Sequence, residues 1–75
     1  MPEFFMSDKI KRIKEVHDHF EGKLILLETN REKRGYLLSL NNLAKTDPEI
    51  NGNYTGIEIK YGIQSLLGEY EHLLD

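Results

Sequence analysis

The sequence contains no cysteine and no tryptophan among its 75 residues. Without cysteine, disulfides and thiolate zinc sites cannot stabilise the fold. The longest unbroken apolar run covers residues 24–27, far short of the roughly 20 residues that a membrane span needs. A domain this small buries only about 60% of the surface of its unfolded chain. We therefore expect one domain with a thin core, which self-association would help to stabilise.

Positive charge is scarce in the C-terminal part of the chain. Residues 46–75 carry one Lys or Arg and six Asp or Glu, whereas residues 1–45 carry nine and seven, so the balance falls from +2 to −5. Acidic residues also separate the two basic clusters, at 9–14 and 31–34. The sequence pI of about 5.6 argues against a nucleic-acid binder, which remains an alternative through these clusters.

The N-terminal residues 1–6 have neither the basic nor the apolar region of a secretory signal. The expected location is therefore cytoplasmic. Met6 and Ser7 resemble a second start of the chain, so residues 1–6 are interpreted as a leader or a disordered N-terminus. Residues 7–75 are then predicted to form a single helical domain.

Helical periodicity predicts three helices. Ser7 is a good N-cap for helix A, and Thr29 and Glu32 have the capping-box spacing that would begin a helix B over residues 30–45. Thr55 and Glu58 repeat this pattern before helix C, and Asp47-Pro48 should stop helix B. The apolar stripe predicted for helix A contains Ile10, Ile13, His17, Phe20, Leu24 and Leu27. We predict an all-α fold, a small helical hairpin or three-helix unit completed by dimerisation, with helices A and B as one arm and helix C folded back along it.

The glycines support an alternative α+β fold. Gly22, Gly35 and Gly62 each border an apolar run, as the ends of strands often do. Residues 24–29 and 36–40 would form a hairpin, and residues 57–61 alternate with the two-residue period of a half-buried strand. The result would be a small antiparallel sheet flanked by two helices. The many leucines and the two capping boxes favour the all-α prediction.

Residues 47–58 resemble the twelve-residue calcium loop of the EF-hand family. Oxygen-bearing side chains occupy loop positions 1, 3, 5, 9 and 12, and glycine occupies position 6. The resemblance covers these residues alone and departs from the family at Tyr54 and Thr46. It implies a calcium-binding module whose ligands would be Asp47, Glu49, Asn51, Asn53, Thr55 and Glu58. The alternative is a polar turn between two helices, which needs the same residue types for its geometry.

The histidines do not form a metal site on sequence grounds. His17 and His19 lie on different faces of a helix, and His17 has only Glu21 at a chelating spacing. We predict no cofactor and no metal.

No nucleophile motif or phosphate-binding loop is present, so an enzyme is not expected. The predicted function is a non-enzymatic protein-protein interaction or regulatory protein, which binds an unidentified partner protein, and a second copy of itself, through an apolar helix face or its acidic C-terminal half. The predicted interaction residues are Ile10, Ile13, Phe20, Tyr36, Leu40, Leu43, Ile63, Leu66 and Tyr70.

Overall fold

The computed structural model describes residues 2–75, with side-chain surroundings from residue 8 onward. It contains four α-helices, α1 (Pro2–Leu24), α2 (Asn30–Leu38), α3 (Leu40–Thr46) and α4 (Gly56–Glu69), followed by a 3₁₀ turn at Glu71–Leu73. Within this range the one bridge of β type is an isolated pair between Asn51 and Tyr54. The all-α prediction is confirmed, and the alternative with a small sheet is wrong because residues 57–61 lie inside α4.

Because α2 and α3 together form one segment, the four helices build a three-helix unit. In this unit α1 and α4 run parallel. Arg12 pairs with Glu58, and Tyr70 bonds to Glu21, so contacts advance along both helices together. The segment formed by α2 and α3 brings the chain back from the end of α1 to the start of α4. The prediction that helix C folds back along one arm built from A and B is therefore wrong. Dimerisation remains a prediction.

Both predicted capping boxes are present. The Thr29 hydroxyl accepts from the backbone N–H of Glu32, whose carboxylate accepts from the Thr29 N–H, and Thr55 and Glu58 repeat this arrangement. Each box satisfies backbone donors that have no partner within the first turn of a helix. At the other end, α3 stops at Thr46, immediately before Asp47 and Pro48, as predicted.

Two predicted helix boundaries need correction. α1 begins at Pro2 instead of Ser7, because proline, with its fixed φ and missing N–H, is tolerated in a first helical turn. It also passes through Gly22 and ends at Leu24, so Leu27 lies beyond it. Whether residues 1–6 are a leader stays untested, and Met1 lies outside the described residues.

The predicted single helix over 30–45 is broken at Ser39. This residue has φ −99° and ψ 0°, and its hydroxyl donates to the carbonyl oxygen of Gly35 at 2.9 Å. Its backbone N–H bonds to Tyr36 in the tighter 3₁₀ pattern. A serine side chain that bonds back to the preceding turn competes with helical backbone hydrogen bonds and bends the helix. The break lets α3 turn toward the start of α4.

The core lies between the α1–α4 pair and the α2–α3 segment. Its buried apolar residues are Val16, Phe20, Leu24, Leu37, Leu40, Ala44, Ile50, Ile63 and Leu66. Val16 was absent from the predicted stripe of helix A, although it is fully buried, while Ile10 from that stripe is 60% exposed. The stripe is rotated toward Val16 because α1 packs against α4 as well as against α2 and α3.

α1 is the longest helix in the described residues. α1 has 23 residues and α4 has 14, which correspond to about 34 Å and 21 Å of helix. Arg12 pairs with Glu58 in the first turn of α4, so α4 begins level with the middle of α1. The overall extents are 44 × 25 × 18 Å. None of the helices in residues 2–75 combines the length and hydrophobicity required to cross a membrane.

Candidate functional site

The structure buries four of the nine predicted interaction residues. Phe20, Leu40, Ile63 and Leu66 are buried in the core, and Ile10 is well exposed. The remaining four, Ile13, Tyr36, Leu43 and Tyr70, are partly buried. As a binding face the set stays a prediction, but the four buried side chains could reach a partner only if the fold opened.

The loop that resembles an EF-hand uses its key carboxylates for other contacts. The Glu58 carboxylate accepts from the Arg12 guanidinium at 2.7 Å and from the Thr55 N–H at 2.8 Å. The hydrogen bond from Arg12, together with the one from the Thr55 backbone, lowers the pKa of Glu58. A ligand at loop position 12 would instead have to turn both oxygens toward the ion. This geometry corresponds to the alternative interpretation, a capped polar turn.

Asp47, the first residue of that loop, is also engaged outside it. Its carboxylate contacts the His19 ring nitrogen Nε2 at 2.7 Å and Lys23 Nζ at 3.2 Å. The hydrogen bond from His19 is the main cause that lowers the pKa of Asp47 to about 2, with further help from the backbone N–H of Glu49. The turn itself requires Gly52, whose φ of +90° disfavours any residue with a side chain. The contacts of Asp47 with His19 and Lys23 hold the loop against α1.

A groove runs between α1 and α4, on a side that α2 and α3 do not cover. It has a volume of about 500 Å³. The described residues that line it all belong to α1 and α4, and they are Ile10, Ile13, Lys14, His17, Asp18, Glu21, Ser65 and Glu69. The end of the groove nearest the N-terminus of α1 is apolar, with Ile10 and Ile13. Its C-terminal end is acidic, with Asp18, Glu21 and Glu69. The sequence does not reveal this groove, because Ser65 and Glu69 reach α1 only through the parallel packing of the helices.

His17 lies in the middle of the groove with carboxylates on both sides of its ring. Nε2 lies 2.6 Å from Glu69 Oε2, and Nδ1 lies 2.9 Å from Asp18 Oδ1 and 4.0 Å from Glu21 Oε1. Ionised carboxylates only accept hydrogen bonds, so both ring nitrogens must carry protons. Burial of the ring opposes that charge, but the hydrogen bonds to Asp18 and Glu69 prevail and raise the pKa of His17.

Glu69 adds to His17 and Glu21 the third possible metal ligand that the sequence did not reveal. One donor atom from each of the three residues lies within 4.8 Å of the others, and His19, Asp47 and Glu49 form a second such group. In the first group both ring nitrogens of His17 already bond to carboxylates. A cation could bind the ring only by displacing one of these contacts, so the arrangement is satisfied as an ion-pair cluster.

In the basic cluster at 9–14, Arg12 is engaged in hydrogen bonds whereas the lysines are exposed. Arg12 is held by Glu58, and its second guanidinium nitrogen donates to the carbonyl oxygen of Asn53 at 2.7 Å. The guanidinium carbon also lies 4.7 Å from the centre of the Tyr54 ring. Arg12 therefore joins α1 to the start of α4, and the charges exposed near it are Lys9, Lys11 and Lys14.

The chain matches no protein-family model, and neither the curated proteins nor the solved structures include a significant match to it.

Proposed function

We propose that this protein is a non-enzymatic interaction module that binds a partner protein in the groove between α1 and α4. The observation that carries the proposal is the lining of the groove, which joins the exposed Ile10 to an acidic end around Glu69. An accessible apolar site beside charged groups is the usual composition of a protein-binding surface, where the apolar part supplies affinity and the charges supply orientation.

The state of the groove's titratable groups favours binding over catalysis. A general base needs a free lone pair within reach of substrate, whereas both nitrogens of His17 bond to carboxylates. Glu21 is likewise engaged, since it accepts from the Tyr70 hydroxyl at 2.9 Å. These groups stabilise the helix pair and give the groove its charge. Self-association and a cytoplasmic location remain predictions.

Site-specific photo-crosslinking tests this proposal. A crosslinking amino acid at Ser65 lies in the groove, and the same group at Asn42, on the exposed face of α3, serves as the control position. In an extract of the native host, we expect Ser65 to label a discrete protein that Asn42 does not label. The purified partner should then be labelled in a reconstituted mixture.

A pair of charge substitutions completes the experiment. Ile10→Asp places a carboxylate at the apolar end of the groove, and Leu38→Asp makes the same change at an equally exposed position of α2, 67% exposed against 60% for Ile10. Labelling from Ser65 should be lost in the first variant and kept in the second. Equal labelling from both crosslinker positions, or equal loss in both variants, would show that the groove is not the binding site.

A further inference from the structure

The acidic end of the groove holds more negative charge than its own cations balance. Three carboxylates, Asp18, Glu21 and Glu69, surround the single imidazolium of His17. Among the described residues of the lining, the only other basic one is Lys14, one turn nearer the apolar end. The unbalanced negative charge faces solvent, because the Glu69 side chain is 50% exposed and that of Asp18 is 55% exposed. An occupant with positive charge would therefore be favoured at this end.

The spacing of the two ends defines the occupant further. Ile10 and His17 are seven residues apart on α1, and Ile10 and Glu21 are eleven apart, which correspond to about 10 Å and 16 Å along the helix axis. An occupant must then present an apolar group and a cationic group two to three helical turns apart. A helix that lies along the groove offers such groups on one face.

We propose that the occupant is an amphipathic helical segment of the partner protein, with apolar side chains against Ile10 and Ile13 and Lys or Arg against Asp18 and Glu69. This inference rests on the proposed function, since it names the partner of the same groove. A second copy docked groove against groove is a poorer fit, because it would bring three more carboxylates against one lysine and one imidazolium. Nucleic acid is disfavoured as well, because phosphates would meet the acidic end.

Synthetic helical peptides test the inference directly. The probe is a fluorescent alanine-based peptide of about 18 residues, long enough to form a helix, with leucines on one turn and lysines two to three turns away. One set of peptides has the lysines on the C-terminal side of the leucines, and a second set has them on the N-terminal side. The control peptides carry glutamate in place of lysine. By fluorescence anisotropy, we expect micromolar affinity for a lysine peptide, at least about tenfold weaker binding of the glutamate peptides, and loss of affinity as salt rises.

Variants of the protein locate the binding. Glu69→Gln and Asp18→Asn should each weaken binding of the lysine peptide severalfold, whereas Glu28→Gln, an exposed residue outside the groove lining, should not. Circular dichroism confirms that each variant is folded. Binding of the glutamate peptides as tightly as the lysine peptides, or an equal effect of Glu28→Gln, would overturn the inference.

The outcomes separate this inference from the proposed function. If Ser65 crosslinks a partner while no lysine peptide binds, the groove is an interaction site but its occupant is not a basic helix. If Ser65 crosslinks only a second copy of this chain, and light scattering gives the mass of a dimer, the occupant is the protein itself and the inference is wrong. If Ser65 labels nothing, the proposed function fails.

Discussion

Gly62 sets the distance between α1 and α4, and Gly62→Ala should destabilise the protein. A Cβ atom at this position would lie 2.6 Å from Val16 Cγ1, 2.7 Å from Val16 Cβ and 3.1 Å from the carbonyl oxygen of Ile13. Rotation of the Val16 side chain can move Cγ1, but it cannot move Cβ, whose position follows from the backbone. Relief therefore requires α1 and α4 to separate.

The sign of the effect follows from two opposing contributions. Alanine favours a helix interior over glycine by about 1 kcal/mol, and overpacking a core costs about 1–3 kcal/mol or more. Val16 is fully buried and β-branched, and two of the three close contacts involve atoms fixed by the backbone, so the cost should lie at the upper end of that range. We expect a net loss of about 1–2 kcal/mol, or roughly 5–15 °C in melting temperature for a domain of this size.

Gly68→Ala is the matched control in the same helix. A Cβ atom at Gly68 would meet no heavy atom within 4 Å, so this variant keeps the gain in helix propensity without the clash and should melt a few degrees higher than the wild type. Thermal unfolding followed by circular dichroism at 222 nm measures both. A rise in melting temperature for Gly62→Ala similar to that for Gly68→Ala would refute the close approach of α1 and α4.

Further predictions concern charge and burial. The pKa of His17 is raised above 6.5 in the fold. The stabilisation of the fold by protonated His17 is therefore complete below pH 6.5 and is lost as pH rises through the raised pKa, so the melting temperature should fall over that range. His17→Gln should flatten this fall. The pKa of Asp47 is lowered from 3.8 to about 2. Its carboxylate should therefore contribute about 1 kcal/mol to the free energy of unfolding after allowance for solvent screening, and this contribution should be lost as pH falls from 3.8 to about 2. Asp47→Asn should abolish this loss of stability in acid. Glu58→Gln should lower the melting temperature, and millimolar calcium should change neither variant nor wild type, since Glu58 is bonded to Arg12; a calcium-dependent rise lost in Glu58→Gln would restore the EF-hand interpretation. Leu66→Asp should cost several kcal/mol and abolish the cooperative transition, because it buries an unpaired charge.

The sequence alone determined the features that depend on a few neighbouring residues. Thr29 and Thr55 begin helices because their hydroxyls and the glutamates three residues later satisfy backbone groups within one turn. Pro48 limits α3 because its ring excludes the helical conformation from Asp47. Such interactions require no knowledge of the rest of the chain, and for that reason the fold class and the start of α4 could be predicted.

Only the tertiary structure decided which helix faces meet. The parallel packing of α1 and α4 buries Val16 against Gly62, leaves Ile10 exposed and brings Glu69 to His17. Periodicity identifies an apolar stripe but not its partner, so the sequence could not show that Gly62 provides a close contact instead of ending a strand. The groove has the same origin, since its charge comes from residues far apart in the chain that interact only after the helices have packed.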